Sequence, residues 1–100
     1  MDNLNEVQNL VDLTETRYFV KVTASAKESN EKRKGEVMIY YLIKGGYVRK
    51  EKDLFNSDGT FKQWMKDSCY KRKWIAEREV SKVEDETWWY KSAELVTVQF

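Results

Sequence analysis

Apolar residues are densest between Val37 and Ile43, where no position is charged or strongly polar. Val37, Ile39, Tyr41 and Ile43 fall on one side of an extended chain, and Met38, Tyr40 and Leu42 on the other. An apolar run on both sides predicts a central strand, covered on both faces or nearly so. Gly45 and Gly46 follow it. Such a pair supplies the positive φ of a tight hairpin turn without Cβ strain, so both are expected in conformations that other residues avoid. Beyond the turn, Tyr47 and Val48 give way to Arg49, Lys50, Glu51 and Lys52, the pattern of a solvated outer strand.

The flanking segments alternate more clearly. From Arg17 to Ala26, Tyr18, Val20, Val22 and Ala24 oppose Lys21, Thr23 and Ser25, with Phe19 as the exception. This predicts a strand with one covered face. The charged stretch from Lys27 to Gly35 reads as a solvated loop. Near the N-terminus, Leu4, Val7, Leu10 and Val11 recur at helical spacing, and Asp2 or Asn3 suits the cap. Residues 1–15 thus read as a short helix, with an extended arm as the alternative.

Thr60 and Gln63 form a capping-box pattern. The helix it announces carries Phe61, Trp64, Met65, Cys69, Ile75, Ala76 and Val80 along one stripe. Phe61, Trp64, Met65 and Ile75 are expected in the core. Arg72 interrupts the stripe, which predicts a break near Ser68. The last strand spans Thr87 to Phe100, with Ala93 and Leu95 out of phase with Val96, Val98 and Phe100. The order of elements predicts a single α+β domain over 1–100. Its sheet is mainly antiparallel, of about four strands, with one main helix packed on one face.

Composition sharpens this picture. Apolar residues make up 41% and charged residues 35%, so the fourteen aromatics must supply much of the core volume. Turns fall to Gly, Asn, Asp and Ser, because the chain has no proline. One cysteine, Cys69, permits no intrachain disulfide and suits a reducing compartment. The N-terminal residues lack the pattern of a signal peptide, and the run from Val37 to Ile43 is too short to span a bilayer. A cytoplasmic protein with no membrane partner is expected.

Most catalytic chemistries lack their residues. The chain has no histidine, which excludes Ser-His-Asp and Cys-His nucleophilic systems. A single Cys cannot form a thiolate zinc site. No glycine-rich phosphate loop is present. Asp53, Asn56, Asp58 and Gly59 hint at a calcium loop. Aligning Gly59 with the loop glycine puts Leu54 and Met65 where acidic ligands are needed, so the register fails. Glu84 and Glu86 read as solvated carboxylates. Cys69 reads as a small apolar residue, although Lys66, Lys71, Arg72 and Lys73 could activate a thiolate. No enzyme, cofactor or metal is expected.

Charge is segregated along the chain. Residues 60–82 carry an excess of +4 and residues 44–52 of +3, whereas residues 1–15 carry −4, for a net charge of +1 overall. Arg49, Lys50, Lys66, Tyr70, Lys71, Arg72, Lys73, Trp74 and Trp88 therefore form the candidate interaction surface, basic and aromatic together. Trp, Tyr and Arg carry much of the energy of protein interfaces. The leading expectation is a non-enzymatic protein-binding module, a regulator or inhibitor of a larger complex. In composition alone, the chain looks like accessory proteins of phages and other mobile elements. The alternative is a nucleic-acid-binding module that grips phosphates and stacks bases. Near-neutral total charge weakens that alternative. Homodimerisation is a third arrangement compatible with the sequence.

Overall fold

The computed structural model describes residues 15–100, the side chain of Trp64 excepted. The expected helix or arm at residues 1–14 and the expected burial of Trp64 lie outside the described residues.

Four strands form one antiparallel sheet: β1 (Thr16–Ala26), β2 (Val37–Ile43), β3 (Gly46–Val48) and β4 (Trp89–Gln99). Their spatial order is β3-β2-β1-β4. One main helix, α1 (Lys73–Lys82), and two 3-10 turns at Glu51–Asp53 and Gln63–Ser68 complete the described elements. The α+β class, the antiparallel sheet and the return of the last strand to it agree with the sequence reading. No helix among the described residues is long and apolar enough to cross a membrane.

The sheet is covered on both faces by different means. On the first face, Val20 and Val22 pack with Tyr40, Leu42, Ala93 and Leu95 beneath Ala76, Val80 and Val83 of α1 and its exit. On the second, Phe19, Tyr41, Val96 and Val98 meet Leu54, Phe55, Phe61, Met65 and Cys69. Phe19 stacks on Phe61 with ring centroids 5.5 Å apart, and meets Tyr41 edge-on at 5.7 Å. Phe19 breaks the alternation of β1 because both faces of that strand are buried.

The stripe from Phe61 to Val80 does not belong to one helix. Met65 and Cys69 enter the second-face core, while Ala76 and Val80 enter the first. The chain crosses from one face to the other around the end of the sheet. There Tyr18 N–H donates to the Tyr70 carbonyl (2.9 Å) and Tyr70 N–H returns a bond to Tyr18 (2.8 Å). The predicted break thus falls between Cys69 and Arg72, and a change of face causes it. Ile75 is only half-buried.

Three expectations need correction. Thr60 caps no helix. Its hydroxyl donates to Asp58 Oδ1 (2.6 Å), and Lys62 occupies the N-cap of the following 3-10 turn. Gly46 does not need a glycine conformation: the two-residue turn consists of Lys44 and Gly45, and only Gly45 has positive φ (87°). That matches a type II turn, with its glycine at the third position. Lastly, β2 is covered along part of its length only. The strand with the most buried positions is β1, where Phe19, Val20, Val22 and Ala24 are each at most 1% exposed.

Candidate interaction surface

The backbone of β2 alternates in direction. Ala26 N–H donates to the Glu36 carbonyl (3.0 Å), and the same register sets Ala24 opposite Met38 and Val22 opposite Tyr40. Residues 36, 38, 40 and 42 therefore bond toward β1, and Val37, Ile39, Tyr41 and Ile43 point their N–H and C=O groups outward. Tyr41 and Ile43 meet Val48 and Gly46 of β3. On that outer side, Val37 and Ile39 meet no strand among the described residues.

The early departure of β3 creates this gap. Extending its register would place Lys50 opposite Ile39. Lys50 does stay extended (φ −108°, ψ 127°), but Glu51 turns the chain into a 3-10 helix. The turn delivers Leu54, fully buried, to the second-face core. Leu54 N–H donates to Glu51 (2.9 Å) and Lys62 N–H to the Leu54 carbonyl (2.7 Å), so the departing backbone is satisfied.

A recess of about 530 Å³ lies on the first face beside the open edge, lined by Met38, Ile39, Tyr40, Leu42, Tyr47, Arg49 and, further in, Lys91 of β4. Val37 is 61% exposed, Ile39 42% and Tyr47 59%, an unusual concentration of apolar surface on so short a segment. The Arg49 guanidinium lies over the Tyr47 ring at 5.9 Å. Lys91 donates to Glu86 (2.7 Å) and to the Tyr40 hydroxyl (3.0 Å). Burial pulls the Lys91 ammonium down, but these two bonds outweigh it and hold its pKa above the ordinary value. A second recess of about 580 Å³ shares Met38 and Arg49 with the first and adds Arg33, Trp88 and Trp89. Buried Asn30 fixes its rim by donating to the Trp88 carbonyl (3.2 Å) and accepting from Arg33 N–H (3.2 Å).

The residues expected from sequence separate into three groups. Arg49 and Trp88 line one recess, with Lys50 beside Arg49 at the point where β3 leaves. Lys71, Arg72, Lys73 and Trp74 are exposed together at the start of α1, and Arg78 lies over the Trp74 ring at 5.2 Å. That end has no side-chain cap and no acid in its first turn, so the cations face the positive end of the helix dipole. Lys66 and Tyr70 have structural partners instead. Lys66 pairs with Glu15, which lowers the Glu15 pKa through that bond. The Tyr70 hydroxyl donates to the Ile43 carbonyl (3.1 Å), and burial raises its pKa.

Sequence reasoning missed Met38, Ile39 and Lys91 as residues of this surface. One signal was present: seven apolar residues precede the turn, but only Tyr47 and Val48 follow it before the charges begin.

Reactive chemistry finds no support at Cys69. The residue is fully buried, and burial pushes its thiol up to about 11, against a smaller opposing effect of Arg17. Among the described residues no cluster of Cys, Asp or Glu could hold a metal ion. The Asp53–Thr60 segment is a turn tied by Asn56 Nδ2 donating to Thr60 Oγ1 (2.9 Å) and Thr60 N–H to Asp58 Oδ1 (3.0 Å). No protein-family model matches the chain, and no curated protein or solved structure is similar to it at a significant level.

Proposed function

We propose that the chain is a small, non-enzymatic, cytoplasmic module that binds another protein, as a regulator or inhibitor of a larger complex. Phages and other mobile elements encode accessory proteins of this kind. The observation that carries the reading is the apolar edge at Val37 and Ile39, exposed beside Tyr47, Arg49 and Trp88. Aromatic and Arg side chains around an apolar centre are the composition of an interface core.

The second reading, nucleic-acid binding, draws on Lys71, Arg72, Lys73 and Arg78 around exposed Trp74. Phosphate contacts with a stacking ring would suit single strands. Against it, Glu77, Glu79, Glu84, Asp85 and Glu86 stand on the same helix and its exit, and the net charge is +1.

Two measurements separate these readings. The full chain, and a Tyr47→Ala, Trp88→Ala variant, are used to capture proteins from an extract of the cell that makes them. Each captured protein is then purified and its dissociation rate measured. A purified partner that leaves the variant at least about tenfold faster supports the protein-binding reading. Short single- and double-stranded oligonucleotides are titrated alongside, at low and physiological salt. Submillimolar binding with a steep salt dependence, together with no protein partner, overturns it.

A further inference from the structure

We infer that the outer edge of β2 receives an extended, acidic segment of the partner protein, which adds to the sheet as a strand at Val37 and Ile39. This rests on the protein-binding reading and names the partner's chemistry. Three observations carry it.

The first is the backbone. Val37 and Ile39 each aim one N–H and one C=O outward, and no described residue bonds them. Only another extended backbone can satisfy such a row in register. The second is shape. The recess lies on the first face beside the open edge, where Met38, Tyr40 and Tyr47 line it. An added strand points every second side chain to that face. Residues on its first-face side would settle against Met38, Tyr40 and Tyr47 and must be apolar. Those on the other side would lie beside exposed Val37 and Ile39.

The third is charge. Arg49 and Lys50 stand where β3 leaves, and neither has a carboxylate within ion-pair distance among the described residues. Arg33, at the far recess, already pairs with Glu36 (3.2 Å), and Lys91 with Glu86 (2.7 Å). Arg49 and Lys50 are thus unmatched cations at the β3 end of the gap, where carboxylates of an incoming strand would neutralise them. A second copy is the poorer occupant. Antiparallel self-pairing sets the Arg49 and Lys50 end of one copy beside the Val37 end of the other, where the adjoining carboxylate, Glu36, is already paired with Arg33.

The test uses the full chain, labelled for amide NMR, and three synthetic probes. These are a short peptide alternating glutamate and valine, its counterpart with lysine for glutamate, and the acidic peptide N-methylated at every second residue. The acidic peptide should shift the Val37 and Ile39 amides saturably and slow their hydrogen exchange. The lysine and N-methylated peptides should bind at least tenfold more weakly. Ile39→Pro removes an outward N–H that no described residue bonds, and should weaken the acidic peptide at least tenfold. Should that variant fold poorly, Arg49→Glu with Lys50→Glu tests the same site from exposed positions and should reverse the preference toward the lysine peptide.

Equal binding of acidic and basic peptides, or undiminished binding of the N-methylated one, overturns the inference. So do concentration-dependent shifts at Val37 and Ile39 without peptide, which would identify a second copy as the occupant. A purified partner that binds the Ile39→Pro and charge-reversed chains as tightly as the parent also overturns the inference, but leaves the protein-binding reading standing. Loss of both partner and peptide binding to the parent chain ends both.

Discussion

Tyr41 is 7% exposed, and Ile39, two residues earlier on the same side of the same strand, is 42% exposed. The two halves of β2 are about equally apolar, and their covers differ. The inner half, Tyr41 to Ile43, has β3 beside it, and the second-face core of Leu54, Met65 and Cys69 lies over Tyr41. The outer half, from Val37 to Tyr40, has neither β3 nor that cover. Apolar character therefore marks what a strand can bury, while the lengths of its neighbours decide what it does bury. Surplus apolar positions on a short free edge are costly in aggregation.

The largest test of this contrast lies in the inner half. Phe19→Ala removes the ring that joins Tyr41 to Phe61, and should destabilise the fold by roughly 3–5 kcal/mol. Chemical denaturation should show the loss as a lower midpoint with an unchanged slope. A loss below about 1 kcal/mol would mean that the second-face core is not a tightly packed unit.

Alkali should act on the inner half as well. Burial pushes the Cys69 thiol up to about 11 from an ordinary 9.0, and also raises Tyr41 and Tyr70. Each group is neutral when protonated and has the higher pKa in the folded state. The unfolded chain therefore binds fewer protons as pH rises through this window, and stability present below pH 9 declines toward pH 11. The Cys69 part should be on the order of 2 kcal/mol, at about 1.4 kcal/mol per pKa unit. Cys69→Ala should remove that part of the pH dependence. Equal slopes for both chains between pH 9 and 11 would show that the thiol is not held neutral by burial.

The hairpin that ends the inner half gives a smaller effect. Gly45 has φ of 87°, whereas Gly46 does not have positive φ and has open space where a Cβ would stand. Gly45→Val should cost about 1 kcal/mol or more, and Gly46→Val much less. Equal midpoints for the two variants would contradict the placement of the turn at Lys44 and Gly45.

The sequence was legible where local pattern and tertiary cover agree. The alternation of Val20 and Val22 marked β1, and the glycine pair marked the hairpin. It misled where one pattern served two covers. The stripe from Phe61 to Val80 looked like one helix face, but Met65 and Cys69 pack on the opposite side of the sheet from Ala76 and Val80. Thr60 looked like a cap, but Asp58 two residues earlier offers its hydroxyl and N–H a nearer partner. The candidate surface was half legible. Arg49 and Trp88 were found as charged and aromatic residues, while Met38 and Ile39 were hidden inside a run that reads as core. Their exposure depends on where β3 leaves, and Leu54 sets that point from outside the hairpin.

The smallest expected effect is the sharpest test of the comparison. Val37→Thr and Ile39→Thr keep β-branched side chains at strand positions, so the backbone preference for an extended chain is retained. Only apolar contact is removed. If the outer half is uncovered in the folded chain, each substitution should change unfolding free energy by no more than about 0.5 kcal/mol. Isoleucine and threonine differ by enough apolar surface to register strongly in a core, so the near-zero result is informative. A loss above about 1 kcal/mol would place Val37 and Ile39 under cover within the chain itself, and the two halves of β2 would no longer differ. A near-neutral effect on stability, together with weaker binding of the acidic peptide, would instead locate the apolar contribution of these residues in the complex.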